Sequence, residues 1–289
     1  MKNNKILTLE RVSLGLSLMF SINWYSKIVM DIFFEFTKNE RTLFLIFSLY
    51  GIGLPVFIKI INNLPNTDIR KHKMETLFFL KSIFFIFSIF AINILITGIC
   101  TLLREQNGLT KSINVSYELT IFSLFLTLVF YPIIEEFVFR KILAKKMVGH
   151  GNTFYVLTSS FCFALVHIVS QGAASLIMIF LLGVLLSVVY LKTGKIIFPI
   201  MLHSFSNLII FLVPKTLSNF SELYLVIYAG IIFVTGMVYL FRLVRKIKKY
   251  EGLKVSLKEA MKDILTNKGM LIFFVLTIFT SVLQQILCL

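Results

Sequence analysis

The chain has 289 residues, of which 57% are hydrophobic and 31 are phenylalanine, and its mean hydropathy is +0.89. That is more apolar material than a soluble domain of this length can bury, so the composition excludes a water-soluble enzyme and predicts an all-α polytopic membrane protein. The net charge of +15, which in a soluble protein would direct attention to nucleic acid, is assigned instead to the anionic inner leaflet of a bilayer; no nucleic-acid partner is expected.

Windows of about 17–25 apolar residues suffice to cross a bilayer. In chain order they fall near 12–30, 42–61, 76–103, 119–139, 153–170, 174–191, 196–213, 223–241 and 270–289, which gives eight or nine spans. Lys27 interrupts the first window and Asp31 ends it, and the last either spans or lies flat. No A-x-A pattern follows the first window, which therefore reads as a retained anchor and not as a cleaved signal. Cys100, Cys162 and Cys288 all lie in apolar windows, where a thiol behaves as a small hydrophobe, so no disulfide framework is encoded. Asn114-Val115-Ser116 matches a glycosylation acceptor, a tripeptide too frequent by chance to carry weight.

The basic residues set the expected orientation, since cytoplasmic loops retain the excess of positive charge. With the N-terminus inside, only Lys38, Arg41, Arg104, Lys111 and Lys215 fall in outer segments, against twenty-one Lys and Arg in inner ones. Lys27, Lys59 and Lys81 sit near the ends of apolar windows, from which long side chains reach the interface. The inner segment 242–268 holds nine basic residues, with Leu253, Leu257, Met261, Ile264 and Leu265 at helical spacing. It is read as a loop containing a helix on the membrane surface, against anionic lipid.

Against this apolar background a few polar residues stand out. Glu135 and Glu136 follow the run Leu119 to Phe130, at a depth where an ionisable group costs roughly 2.5–3.5 kcal/mol and is kept for a pathway or a reaction. Two histidines, His167 and His203, lie in later windows. Helical spacing places Glu136 with Arg140, Phe163 with His167, and His203 with Asn207, each pair i and i+4 on one face. Glu135 is about 100° around the helix from Glu136, so one glutamate can be neutralised by Arg140 while its neighbour stays available for chemistry. A carboxylate in a low-dielectric site serves as a general base, and imidazole and amide groups stabilise charge on a tetrahedral intermediate.

The order Glu135-Glu136-x-x-x-Arg140, Phe163-x-x-x-His167 and His203-x-x-x-Asn207 on three successive windows resembles the CAAX protease and bacteriocin-processing (CPBP, or Abi) intramembrane proteases, which include the prenyl-protein endopeptidases. The resemblance covers about 119–213 and leaves the first three windows and the C-terminal part outside it. It implies an N-terminal transmembrane region over 1–118, a catalytic core over 119–213, and C-terminal helices over 214–289 that include the basic loop. It further implies an intramembrane endopeptidase in which Glu135 activates water, while His167, His203 and Asn207 line that water or the developing oxyanion. Glu136, Arg140 and Phe163 then support them. The expected substrate is a membrane-associated peptide or protein: a bacteriocin or peptide pheromone precursor, or a CAAX-like substrate. The Lys, Ile, Asn and Phe bias fits an AT-rich bacterium and favours the first two.

Three alternatives stay open at this level. Glu135, His167 and His203 could be zinc ligands with water as the fourth; H-E-x-x-H is absent and Asn207 is a poor ligand, so the metal-free reading is preferred and no cofactor is expected. A second class is a non-catalytic membrane protein conferring immunity to a bacteriocin by binding. A transporter is third, although no matching broken helices occur in the two halves, as inverted repeats would require. The charge distribution makes a direct prediction: a reporter fused after Lys146 reads cytoplasmic and one fused after Lys215 reads external. A cytoplasmic signal at Lys215 would invert the span that carries His203.

Overall fold

The computed structural model describes residues 2–106, 120–247 and 252–286, and among them the regular structure is entirely helical. The helices are α1 (Lys2–Phe33), α2 (Lys38–Ile61), α3 (Thr76–Gln106), α4 (Ile121–His150), α5 (Asn152–Gln171), α6 (Leu176–Thr193), α7 (Ile197–Ser218), α8 (Glu222–Ile247), α9 (Gly252–Thr266) and α10 (Lys268–Ile286). Eight are long and apolar enough to cross a membrane, and α9 with α10, bent by 68° at their junction, would make a ninth. The chain is therefore a multi-pass membrane protein, with a helix over each apolar window. Lys111, Asn114 to Ser116, Lys249 and Cys288 lie outside the described residues.

Two compact units alternate along the chain. The first comprises Met1–Asp68, Leu143–Leu176 and Leu253–Leu289; the second comprises Ile69–Ile142 and Ile177–Gly252. In the first unit α1 buries Leu9, Val12, Leu16 and Met19, a spacing of three and four that makes a narrow packing seam. The hydroxyls beside that seam, Thr8, Ser13 and Ser17, donate to carbonyls one turn back, which removes their cost in an apolar setting. Helix α10 approaches α1 at Gly269, where a Cβ would collide with Ser13 and the backbone of Glu10. Asn267 caps α10 by accepting from the Met270 N–H (3.2 Å) and donates to the Ile6 carbonyl (3.2 Å). Lys5 Nζ reaches Asp263 at 2.5 Å.

The same unit absorbs three charges that the sequence places awkwardly. Asp31, at the end of α1, pairs with Arg41 at 2.5 Å. The buried Lys146 ammonium donates to the carbonyls of Asn62 (3.3 Å) and Leu64 (2.9 Å), just past the end of α2, where unsatisfied carbonyls and the negative end of the helix dipole favour a cation. The expected helix in the basic segment is present as α9. Its Ala260 and Ile264 are buried while Lys258, Glu259 and Lys262 are exposed, so part of its apolar face is spent on protein packing.

The second unit is built around the long contact of α3 with α8. Ser88 donates to the Gly236 carbonyl at 2.8 Å, and a Cβ at Gly236 would collide with the Phe87 carbonyl; a small residue is what lets the two backbones approach. Phe84 stacks on Tyr239 and Phe87 meets Phe205 of α7. Gly194, at φ +61°, closes α6 against the backbone of Arg70 and Lys71.

Three helices widen into a π turn directly before a proline. Proline lacks an N–H and its ring presses on the carbonyl four residues earlier, and an extra residue in the preceding turn relieves that clash. Ahead of Pro55 the Leu54 N–H bonds to Leu49, ahead of Pro132 the Tyr131 N–H bonds to Leu126, and ahead of Pro214 the Val213 N–H bonds to Leu208. The close approach at Gly236 yields a paired prediction. Gly236→Leu should lose about 1–3 kcal/mol to overpacking, whereas Gly230→Leu, with nothing within 4 Å of its Cβ, should unfold at the wild-type temperature in a thermal scan of the purified protein.

Candidate active site

Four of the residues singled out in the sequence come together in the second unit through α4 and α7. Glu136 and Arg140 are completely buried one helical turn apart, with Arg140 Nε 2.9 Å from Glu136 Oε2. The other carboxylate oxygen, Glu136 Oε1, lies 2.9 Å from His203 Nδ1. An ionised carboxylate held against a guanidinium can only accept, so Nδ1 carries the proton and donates. The second ring nitrogen, Nε2, then faces Glu135 Oε2 at 3.8 Å. Glu135 keeps 19% of its side chain exposed, whereas Glu136 is fully buried.

The bond from Glu136 to His203 is the feature that sequence reasoning missed. The i,i+4 spacing assigns Glu136 to Arg140 and exhausts its apparent role. The long-range partner has no local signature, because the two residues are separated by 67 positions. In place, the three groups form a relay: Arg140 neutralises Glu136, Glu136 fixes the tautomer and ring plane of His203, and His203 presents Nε2 to Glu135.

Asn207 lies one turn beyond His203 and donates Nδ2 to the Thr127 carbonyl of α4 at 2.9 Å. One of its two amide hydrogens is thereby committed to holding the carboxamide. The second is the one that an oxyanion could use.

Phe163 and His167 stand on α5, in the first unit. The buried Phe163 contributes its carbonyl to His167 Nδ1 at 2.7 Å, and the two rings lie 4.6 Å apart. A carbonyl only accepts, so His167 also carries its proton on Nδ1. The F-x-x-x-H spacing thus has a physical content: the ring of residue i lies against the imidazole at a tilt of 57°, and its backbone carbonyl accepts from the near nitrogen. Among the described residues, no group of three His, Cys, Asp or Glu side chains is disposed to hold a metal ion.

Residues 117–209 match the family model described as Type II CAAX prenyl endopeptidase Rce1-like. The matched stretch takes in Glu135, Glu136, Arg140, Phe163, His167, His203 and Asn207, and so agrees with the resemblance drawn from the three motifs. No curated protein and no solved structure matches the chain.

The double duty of Glu136 predicts distinct outcomes for two substitutions. Glu136→Ala leaves Arg140 buried without its carboxylate, a loss of about 3–5 kcal/mol, and should sharply lower the amount of folded protein in the membrane. Glu136→Gln still offers an oxygen to His203 Nδ1 and should accumulate better than Glu136→Ala, as measured by quantitative blotting and thermal unfolding.

Proposed function

We propose that this protein is an intramembrane endopeptidase that hydrolyses a peptide bond in a membrane-associated peptide or protein by means of a glutamate-activated water. The observation that carries the reading is the chain of contacts from Arg140 through Glu136 and His203 to Glu135, within the stretch that matches the prenyl endopeptidase family. A buried, neutralised support beneath a more exposed carboxylate and an oriented imidazole is what general-base hydrolysis requires.

In this reading Glu135 takes a proton from water as the oxygen attacks the scissile carbonyl, and the new C–O bond forms as the C=O π pair moves onto oxygen. The uncommitted N–H of Asn207 stabilises the resulting charge, and His203 Nε2, an acceptor in this tautomer, holds the attacking water through that water's other hydrogen. The C–N bond then breaks and the proton held by Glu135 passes to the departing amine. His167 is carried as a candidate site residue on the strength of its motif alone. The N-terminus is placed in the cytoplasm, with anionic inner-leaflet lipid against the basic segment 242–268, and the chain is taken to be bacterial. The preferred substrates are bacteriocin or peptide pheromone precursors, with prenylated CAAX-like peptides as the probe class that the family match supplies. Water activation is assigned to the carboxylate and not to a metal.

The test compares membrane peptides from cells producing the wild type with those from cells producing Glu135→Gln at equal abundance, together with cleavage of an internally quenched peptide bearing a farnesylated cysteine. Glu135→Gln should abolish cleavage while accumulating normally, because only the base is removed, a change worth about 10²–10⁴-fold. Cleavage by the wild type should also survive treatment with a strong chelator. Equal product from Glu135→Gln and wild type would end the protease reading, and a preserved biological role without any product would favour the immunity or binding reading. Stoichiometric zinc lost together with activity, and restored with it, would assign water activation to a metal and overturn the carboxylate reading.

A further inference from the structure

The π turn before Pro132 has a consequence at the candidate site. In an unbroken α-helix the Thr127 carbonyl would receive the Tyr131 N–H, but that N–H bonds to Leu126. In a continued π-helix the donor would be residue 132, and proline has none. The Thr127 carbonyl is therefore left without a helical donor inside an apolar chain, where such a group must be satisfied from elsewhere. The donor that arrives is Asn207 Nδ2, at 2.9 Å.

The same device occurs a second time, with a different donor. Val213 N–H bonds to Leu208, Pro214 has no N–H, and the Ile209 carbonyl left over receives the Tyr228 hydroxyl of α8 at 2.9 Å. In both cases the freed carbonyl is five residues before the proline, and a side chain from another helix fills it. In both, the proline's missing N–H is what leaves the carbonyl without a partner in its own helix.

We propose that Pro132 is a positioning residue for Asn207. By withholding an N–H, Pro132 reserves the Thr127 carbonyl as an anchor for one amide hydrogen of Asn207. That anchor fixes the rotamer of the carboxamide, decides which of its ends is nitrogen, and ties α7 to α4 beside His203. The Pro214 pair fixes Tyr228 by the same means and has no such link to the site. The placement of Asn207 stands on the hydrogen bond alone; only its effect on turnover rests on the proposed protease function.

The experiment is a double-mutant cycle on the purified full chain. Wild type, Pro132→Ala, Asn207→Ala and the double variant are compared by thermal unfolding in detergent. Replacing the proline with alanine brings a new N–H that can reach the Thr127 carbonyl, so Asn207→Ala should lower the unfolding temperature much less when combined with Pro132→Ala than when made in the wild type. Additive shifts would overturn the proposal. Pro214→Ala should be additive with Asn207→Ala and coupled to Tyr228→Phe; coupling of Pro214→Ala to Asn207→Ala would mean a general effect of breaking the helix and would also overturn it.

On the farnesylated quenched peptide, Pro132→Ala should lower kcat on the order of tenfold to a hundredfold with little change in KM, as for a group misplaced by a fraction of an ångström to an ångström. An unchanged kcat would refute the positioning role. If Pro132→Ala does not accumulate, Asn207→Asp decides the matter: a carboxylate cannot donate to Thr127, so stability should fall as in Asn207→Ala, and full stability with full turnover would refute the anchor. Coupled thermal shifts without turnover by any form, wild type included, would retain the anchor and remove the protease function, whereas turnover with additive shifts would do the reverse.

Discussion

The second unit is organised around one carboxylate, that of Glu136, which is fully withdrawn from solvent and divided between a guanidinium and an imidazole. Burying an isolated carboxylate or guanidinium is prohibitive, and burying the two together costs far less because each neutralises the other. The Arg140 contact provides the neutralisation and the His203 contact uses the remaining oxygen. The need to satisfy this pair dictates where α7 must lie against α4. It also leaves His203 a single orientation, with its far nitrogen on the side of Glu135. A demand that is purely structural at Glu136 becomes an arrangement with chemical potential one residue away.

That arrangement explains why two adjacent glutamates with the same side chain differ so strongly. Helical rotation of about 100° separates them, which is enough to put one wholly inside the protein and leave the other with 19% of its side chain exposed. Asn207 follows the same logic by a different route. Its partner is not a charge but a backbone carbonyl that a proline has taken out of the helical ladder, so an irregularity of the main chain, costly anywhere in lipid, is absorbed by a side chain one turn from His203.

Much of this was legible in the sequence, for reasons that can be named. The membrane class followed from composition, and each apolar window became a helix because length and hydropathy leave a chain few alternatives in a bilayer. The pairs Glu136 with Arg140 and Phe163 with His167 were legible because i,i+4 neighbours meet on any helix. What was not legible depends on contacts between helices. Nothing local in Pro199 to Asn207 says that His203 finds Glu136, or that Asn207 finds Thr127. The π turns were half visible: Pro55, Pro132 and Pro214 announce trouble in their helices, but whether the chain kinks, ends or widens is decided by neighbouring helices. Lys146 was read as an ordinary cytoplasmic charge, and its burial on the carbonyls of Asn62 and Leu64 required the end of α2 to be in place.

The closure of the first unit carries a consequence for how the protein is made. Lys5 meets Asp263 and Ile6 meets Asn267 across 258 and 261 positions, and the seat for Gly269 lies on α1. At translation rates of about 5–20 residues per second, α1 waits on the order of ten to fifty seconds for these partners. During that interval α1 can already pack on α2, through Gly15 against Phe57 and Gly53 against Met19, while the face that receives α10 is met by lipid or by the insertion machinery. Completion of this unit is thus a late, long-range event, and a nascent chain stalled before α10 would hold an α1 packed on α2 but open where Gly269 is to sit.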